Sequence, residues 1–387
     1  MVWLAIVSII YGVIASLDPI LFIFIGYTLD VSGVYLGLLS ALWSIAYIAV
    51  SRIFNSFADK GNNKLLSLFA LISLSISYIC LRSINHVTAM LLYIMHAIAL
   101  ALMNLAISVT MLENSDSDSW SRASIIQRSL SSVSRGFILL LLAMRREISM
   151  GYLFGLSILL NIVSILILPS ISWSFERKFY RLNRNINEIG MYIRASSSVL
   201  FLDKPSIAYY IYTTSWGKEN RASIYRVLIA IMMATAIGDY IFAVLPIILK
   251  SYMSIYSLWI AYGIASIFSA FIIIAVGTPS INRKIFAIAM SIARTCLLVF
   301  GLTFIRETLT LAIYIAMASL LYMFIDITLY NMFVENSAGF STANYFISRE
   351  IGSIMGSLIS GLMLGFGIYP FLLTALIIGF SLAIVLM

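Results

Sequence analysis

Charge is scarce in this chain. Only 10% of its 387 residues are Asp, Glu, Lys or Arg, whereas 62% are hydrophobic, and the mean hydropathy is +1.03. A soluble protein of this length has too little interior to hide so much apolar surface. Cysteine and histidine are nearly missing as well. Cys80 and Cys296 both fall in apolar runs without metal-ligand spacing, and His86 and His96 are the only histidines. Spacing alone therefore assembles no metal site and fixes no disulfide. A glycine loop followed by Lys-Ser or Lys-Thr, the usual phosphate cradle, is also lacking. Neither a cofactor, a metal nor ATP is expected.

What fills the chain is long apolar runs. A helical span needs about 20 apolar residues, and only helices or closed barrels satisfy the backbone in lipid. Barrel strands alternate apolar and polar residues. These runs are continuous, so an all-α integral membrane protein is expected. About twelve spans are predicted, near residues 2–26, 33–53, 64–84, 87–112, 122–144, 149–170, 224–249, 252–276, 285–305, 308–334, 340–365 and 368–387. The first run is too long for a signal peptide and lacks a basic flank, so it reads as a span.

The few polar residues inside the runs recur. Asp18 and Asp239 are separated by 239 − 18 = 221, as are Arg128 and Arg349 (349 − 128 = 221) and Tyr35 and Tyr256 (256 − 35 = 221). Asn104 and Asp326 differ by 326 − 104 = 222, and so do the Glu-Asn-Ser triplets beginning at Glu113 and Glu335. An intramembrane charge costs about 2.5 kcal/mol or more, so its placement is seldom accidental. Recurrence at one offset indicates two related halves, a design common among alternating-access carriers. The expected divisions are 1–170, a central segment 171–223, and 224–387.

The net charge of +8 follows topology. With both termini in the cytoplasm, 15 of the 24 Lys and Arg fall on that side and five on the other, leaving Arg128, Arg135, Arg294 and Arg349 inside spans. This is the positive-inside pattern, and no nucleic-acid partner is implied. Within the central segment, Phe175, Phe179, Leu182, Ile186, Ile189 and Ile193 recur every three or four residues, with Arg177, Lys178, Arg181 and Arg184 between them. That pattern predicts an amphipathic helix on the inner leaflet or under the bundle.

The architecture resembles the major facilitator superfamily. The most specific mark lies between spans two and three, Asn55-Ser56-Phe57-Ala58-Asp59-Lys60-Gly61-Asn62-Asn63-Lys64. It is similar to that family's cytoplasmic signature at Asp59, Lys60 and Lys64, although Asn55 replaces the first glycine and Gly61 is displaced. In the second half, Arg283 and Lys284 keep the basic character without the aspartate. Glu113, Arg122 and Glu335 also resemble the family's loop charges. The resemblance implies a gating role for Asp59, Lys60, Lys64, Glu113 and Arg122. The arginine often found in span four is absent, with His96 near its place, and Ser131–Gly136 replaces the antiporter branch's glycine-proline signature.

The resemblance also implies that spans one, four, seven and ten line a central cavity. Asp18, Asn104, Asp239 and Asp326 fall one on each. At about 1.5 Å rise per residue, Asp18 and Asp239 lie nearer one face and Asn104 and Asp326 nearer the other. Asp18 and Asp239 read as a protonatable or cation-attracting pair, or as fixed hydrogen-bond acceptors. Asp326 either serves a solute or forms an ion pair with Arg349, which would neutralise both. Arg128 either snorkels to the surface or meets an anion. Arg135, whose repeat partner is Gly356, needs water or an acid, with Asp18 or a solute anion as the choices. Arg294 is expected to be structural, and His96 to titrate or simply to be hydrogen-bonded.

These readings converge on a secondary-active carrier in the cell membrane, functional as a monomer among lipids. It would move a small polar or charged solute with protons or another cation. A lipophilic-cation or multidrug exporter and a non-transporting sensor of the same fold are the alternatives. A polytopic membrane enzyme is not expected, because the external acids, chiefly Asp30, Glu147 and Glu307, are separated in sequence.

Overall fold

A computed structural model describes residues 2–54, 57–58, 61–114, 117–145, 149–170, 218–275, 283–337 and 342–386. The first six helices are α1 (Val2–Thr28), α2 (Gly33–Ile53), α3 (Asn63–Leu81), α4 (His86–Asn114), α5 (Ser117–Met144) and α6 (Met150–Ile167). The second six are α7 (Lys218–Phe242), α8 (Ile255–Ala275), α9 (Arg283–Phe304), α10 (Thr308–Ser337), α11 (Thr342–Gly365) and α12 (Ile368–Leu386). A five-residue helix, Leu245–Leu249, prolongs α7. Among the described residues, ten helices are long and apolar enough to cross a membrane. The other two are α8, whose apolar stretch is the shorter Ile255–Phe271, and α11, diluted by Arg349, Glu350 and several serines. This is the integral membrane protein that composition predicts.

The helices outrun their apolar stretches. Thus α4 ends at Asn114, α7 begins at Lys218 and α10 ends at Ser337, beyond the predicted span edges. Hydropathy marks where lipid ends; the backbone ladder continues into polar residues because each added residue gains a hydrogen bond. The central segment's amphipathic helix lies outside the described residues. Within the apolar runs, several serines return their hydroxyls to the preceding turn, as Ser8 does to Leu4 and Ser291 to Ala287, each at 2.6 Å. Such back-bonding hides a polar group where no water is present.

Packing is pseudo-symmetric. The contacts α1–α4, α1–α5, α1–α6, α2–α4, α3–α4 and α3–α6 are each repeated as α7–α10, α7–α11, α7–α12, α8–α10, α9–α10 and α9–α12. Two large junctions join the halves, α2 against α11 and its counterpart α5 against α8. Small residues permit both. A Cβ at Gly37 of α2 would collide with the Ser357 carbonyl oxygen of α11, and one at Gly136 of α5 would sit 2.6 Å from the Gly263 carbonyl oxygen of α8.

Successive spans run in opposite directions, so both termini share one face, here the terminal face; the other is the distal face. The hydrophobic interior differs between them. Toward the distal face one cluster unites both halves, from Leu17 and Leu39 to Tyr240, Leu258 and Phe371. Toward the terminal face there are two clusters. One holds Leu4, Leu74 and Ala106 of the first half, the other Ile231, Leu329 and Tyr345 of the second. The halves are joined at the distal end and parted at the terminal end.

Candidate functional site

A cavity of about 410 Å³ lies where the shared core gives way to the two separate ones. Its ionisable wall comes from both halves: Asp18 on α1 and Arg135 on α5, then Asp239 on α7, Arg294 on α9, and Arg349 and Glu350 on α11. Three acids face three arginines. Aromatic and hydroxyl side chains complete the wall, notably Trp43, Tyr93, Tyr262, Tyr322, Ser44 and Ser353.

In the first half, Pro19 follows Asp18 inside α1, where a proline removes one ladder donor and loosens the turn. Tyr93 of α4 donates to Asp18 Oδ1 at 2.6 Å. Arg135 Nη2 stands 3.6 Å from Asp18 Oδ2, and the two side chains remain 35% and 26% exposed, so a solute in the cavity can reach both. The Arg135 Nε is buried without a partner.

In the second half, Ser353 lines the wall together with Asp239 and accepts from Ser44 Oγ of α2 at 2.9 Å. This contact crosses the junction between halves. Arg349 pairs with its neighbour Glu350 at 3.1 Å. The Arg294 guanidinium lies 4.5 Å from the centre of the Tyr322 ring and donates from Nη1 to the Ala234 carbonyl, while its Nε is unpartnered. Gly238 leaves room for it, since any Cβ there would strike the guanidinium. Ring-face contact offsets part of the cost of a desolvated cation.

The remaining expected residues lie elsewhere. Asn104 donates to Tyr47 Oη at 2.9 Å, and Tyr47 stacks on Trp43 of the wall. Asp326 accepts from Tyr345 at 2.9 Å rather than pairing with Arg349. His96 is fully buried with Nε2 3.1 Å from the Ile14 carbonyl oxygen, which places its proton there. Arg128 is exposed, away from the cavity. Among the gating residues, Asp59 and Lys60 lie outside the described residues. Glu113 and Arg122 fall on the ends of α4 and α5, with side chains outside them too. Lys64 is exposed in the first turn of α3. Beside it, buried Asn63 donates to Thr110 Oγ1 and the Pro169 carbonyl, each at 2.8 Å, tying three helices at the terminal face.

Arg294 belongs to the cavity wall, although sequence assigns it to the scaffold. Glu350 and Tyr93 are wall residues that sequence analysis does not single out. Position 350 − 221 = 129 is Ser129, so Glu350 has no acidic counterpart in the repeat. Tyr93 does recur, at Tyr314 (314 − 93 = 221), which the repeat could have shown.

No family model matches the chain, and no curated protein matches it. Solved structures do. A POT family transporter in complex with a thioalcohol-conjugated peptide superposes with a TM-score of 0.68 at 13% identity, covering 99% of this chain and 94% of that one. A POT family transporter in complex with 5-aminolevulinic acid gives 0.66 at 13% identity, covering 99% and 94%. The nucleoside transporter NupG gives 0.63 at 15% identity, covering 100% and 96%. Near-complete mutual coverage establishes the class: an integral membrane protein with the major-facilitator type of fold, two pseudo-symmetric sets of six helices. Identities this low identify the fold, not the solute.

Proposed function

We propose that this chain is a secondary-active carrier of a small polar or charged solute, working by alternating access and coupled to protons or another cation. One observation carries the reading. The cavity between the halves is walled by three acids and three arginines drawn from both halves, at the level where their shared core ends. Intramembrane charges are retained where they meet water or a transported species. Closing the parted end while opening the joined one would present the same site to the opposite face. The transporter names of the solved structures with this fold support the same reading.

Residues 1–170 and 224–387 are the proposed moving halves, linked by 171–223. The excess of basic residues on the terminal face supports a cytoplasmic location for the termini, in the cell membrane, with the site facing the cytoplasm in this conformation. The monomer contains the complete path. Asp18 and Asp239 are assigned to coupling, Arg135 and Arg349 to solute charge. The rival reading, export of a lipophilic cation, draws on the aromatic wall of Trp43, Phe22 and Tyr262; the three arginines count against it. The test is uphill uptake by purified protein in sealed vesicles under an imposed proton gradient. Asp18→Asn with Asp239→Asn is expected to fold normally and abolish accumulation while leaving downhill exchange. Undiminished accumulation by that double variant would sink the coupling assignment.

A further inference from the structure

A second chamber of about 290 Å³ adjoins the charged cavity and shares Arg135, Phe242, Tyr262 and Ser319 with it. Its polar lining is distinctive. Ser132 lies one turn before Arg135 on α5, Ser266 lies one turn before Ser269 on α8, and Ser319 faces them from α10. Residues three apart share a helix face, so the spacing turns each pair toward the same space. Ser269 donates to the Ala265 carbonyl at 2.8 Å and is left as an acceptor. Ser132, Ser266 and Ser319 have no hydrogen-bond partner among the described residues. Some serines of the apolar runs return their hydroxyls to the backbone and others, such as Ser157 and Ser360, are packed away without a partner, whereas these three open onto a chamber. Beside them the buried Arg135 Nε is also unmatched, and its Nη2 holds Asp18 only at 3.6 Å.

We propose that this chamber is a solute subsite for the hydroxylated portion of an organic anion. The anion's carboxylate would take Arg135, and its hydroxyl groups the serines. The inference rests on the carrier reading and names its solute class. A serine hydroxyl both donates and accepts, so a cluster on three helices matches a chain of carbinol groups, which needs both. A guanidinium supplies the charge-assisted contact. Tyr262 and Phe242 provide an apolar wall that excludes water from those bonds. A solute with the charge but no hydroxyls would leave the serines desolvated and unpaired, which is where discrimination arises. Because α5 belongs to one half and α8 and α10 to the other, a solute seated here bridges the α5–α8 junction.

The experiment is binding by the purified full-length protein, read by titration calorimetry and thermal stabilisation, with gluconate, hexanoate and glucose as probes. Gluconate is expected to bind at least about tenfold more tightly than hexanoate, which lacks the hydroxyls, and than glucose, which lacks the charge. Ser132→Ala with Ser266→Ala should weaken gluconate about tenfold and leave hexanoate unchanged. Should that pair fail to fold, Ser319→Ala alone should narrow the preference in the same direction. Gluconate binding no better than hexanoate, absence of gluconate binding, or a preference unmoved by the serine variants would overturn the subsite. Vesicle uptake separates the two readings. Serine-dependent gluconate binding without accumulation would leave the subsite and remove the carrier. Accumulation of some other solute, indifferent to Ser266→Val, would leave the carrier and remove the subsite.

Discussion

The distal and terminal ends of the molecule are made from the same twelve helices, yet they solve packing differently. At the distal end Leu17, Leu39, Tyr240 and Leu258 belong to one interior, and contacts cross freely between halves. Tyr27 donates to the Met253 carbonyl at 3.0 Å, and Lys250 stands 3.5 Å from Asp30. At the terminal end each half keeps its own core. Each half is therefore a packing unit of its own at the terminal end, while the distal end is one interior built by both. Lipid adds little hydrophobic drive for helix association, so close fit and polar contacts govern such junctions.

The most severe way to break this asymmetry is to make the junction permanent. Ser44 and Ser353 face each other across α2 and α11 with Oγ atoms 2.9 Å apart, which brings cysteines there within reach of a disulfide. In a background with Cys80 and Cys296 replaced by serine, Ser44→Cys with Ser353→Cys is expected to cross-link on oxidation. Uptake should then fall by about tenfold or more, because alternation between faces is required for turnover, and a reductant should restore it. Full uptake by quantitatively cross-linked protein would show that this junction does not part during transport.

A smaller effect distinguishes packing within a half from packing between halves. Gly356 of α11 lies against the Ala236 carbonyl of α7, inside the second half, whereas Gly37 of α2 lies against the Ser357 carbonyl across the junction. Leucine at either position overpacks, at a typical cost of about 1–3 kcal/mol. For Gly356→Leu the clash has no alternative packing to escape to, so the expected outcome is a lower melting temperature. For Gly37→Leu the halves can relieve it by opening the distal end. Its melting temperature should change less, while a cysteine at the cavity residue Ser40 becomes reachable by an impermeant thiol reagent from the distal side. Equal melting losses with unchanged Ser40 labelling would erase the distinction between the two kinds of contact.

Much of this plan is legible in the sequence because lipid simplifies the code. Apolar runs set the helices, and the 221-residue recurrence of Asp18 with Asp239 marks the halves before any contact is known. Charges are the easiest site residues to find, and Asp18, Asp239, Arg135 and Arg349 do share one cavity. Three features are harder to read. Glu350 has no acidic counterpart one repeat away, and Tyr93 looks like ordinary membrane aromatic content until its hydroxyl is seen on Asp18. Depth along a helix is the third difficulty. Arg128 and Arg135 are seven residues apart on α5 and share one face, yet only Arg135 lines the cavity, because Arg128 stands about 10 Å nearer the terminal face. Which end is joined is not a property of sequence at all. Both arrangements use the same residues, and their balance depends on a few contacts at each face.

One of those contacts sets the lower bound on what matters. The Lys250–Asp30 pair is the described ion pair across the distal opening, but its aspartate side chain is fully exposed and its lysine 37% exposed. Water and salt screen such a pair, and the entropy of two long side chains opposes it. Lys250→Ala should therefore leave melting temperature and maximal uptake nearly unchanged, with at most a slight gain in distal labelling at Ser40 that vanishes in high salt. Removing the Tyr27 hydroxyl of α1, Tyr27→Phe, should have the larger effect, because it strips the hydrogen bond that the Met253 carbonyl receives from the other half. If Lys250→Ala proved the more damaging of the two, the distal end would be held by charge. The close packing of α2 on α11 would then be a consequence of closure rather than its cause.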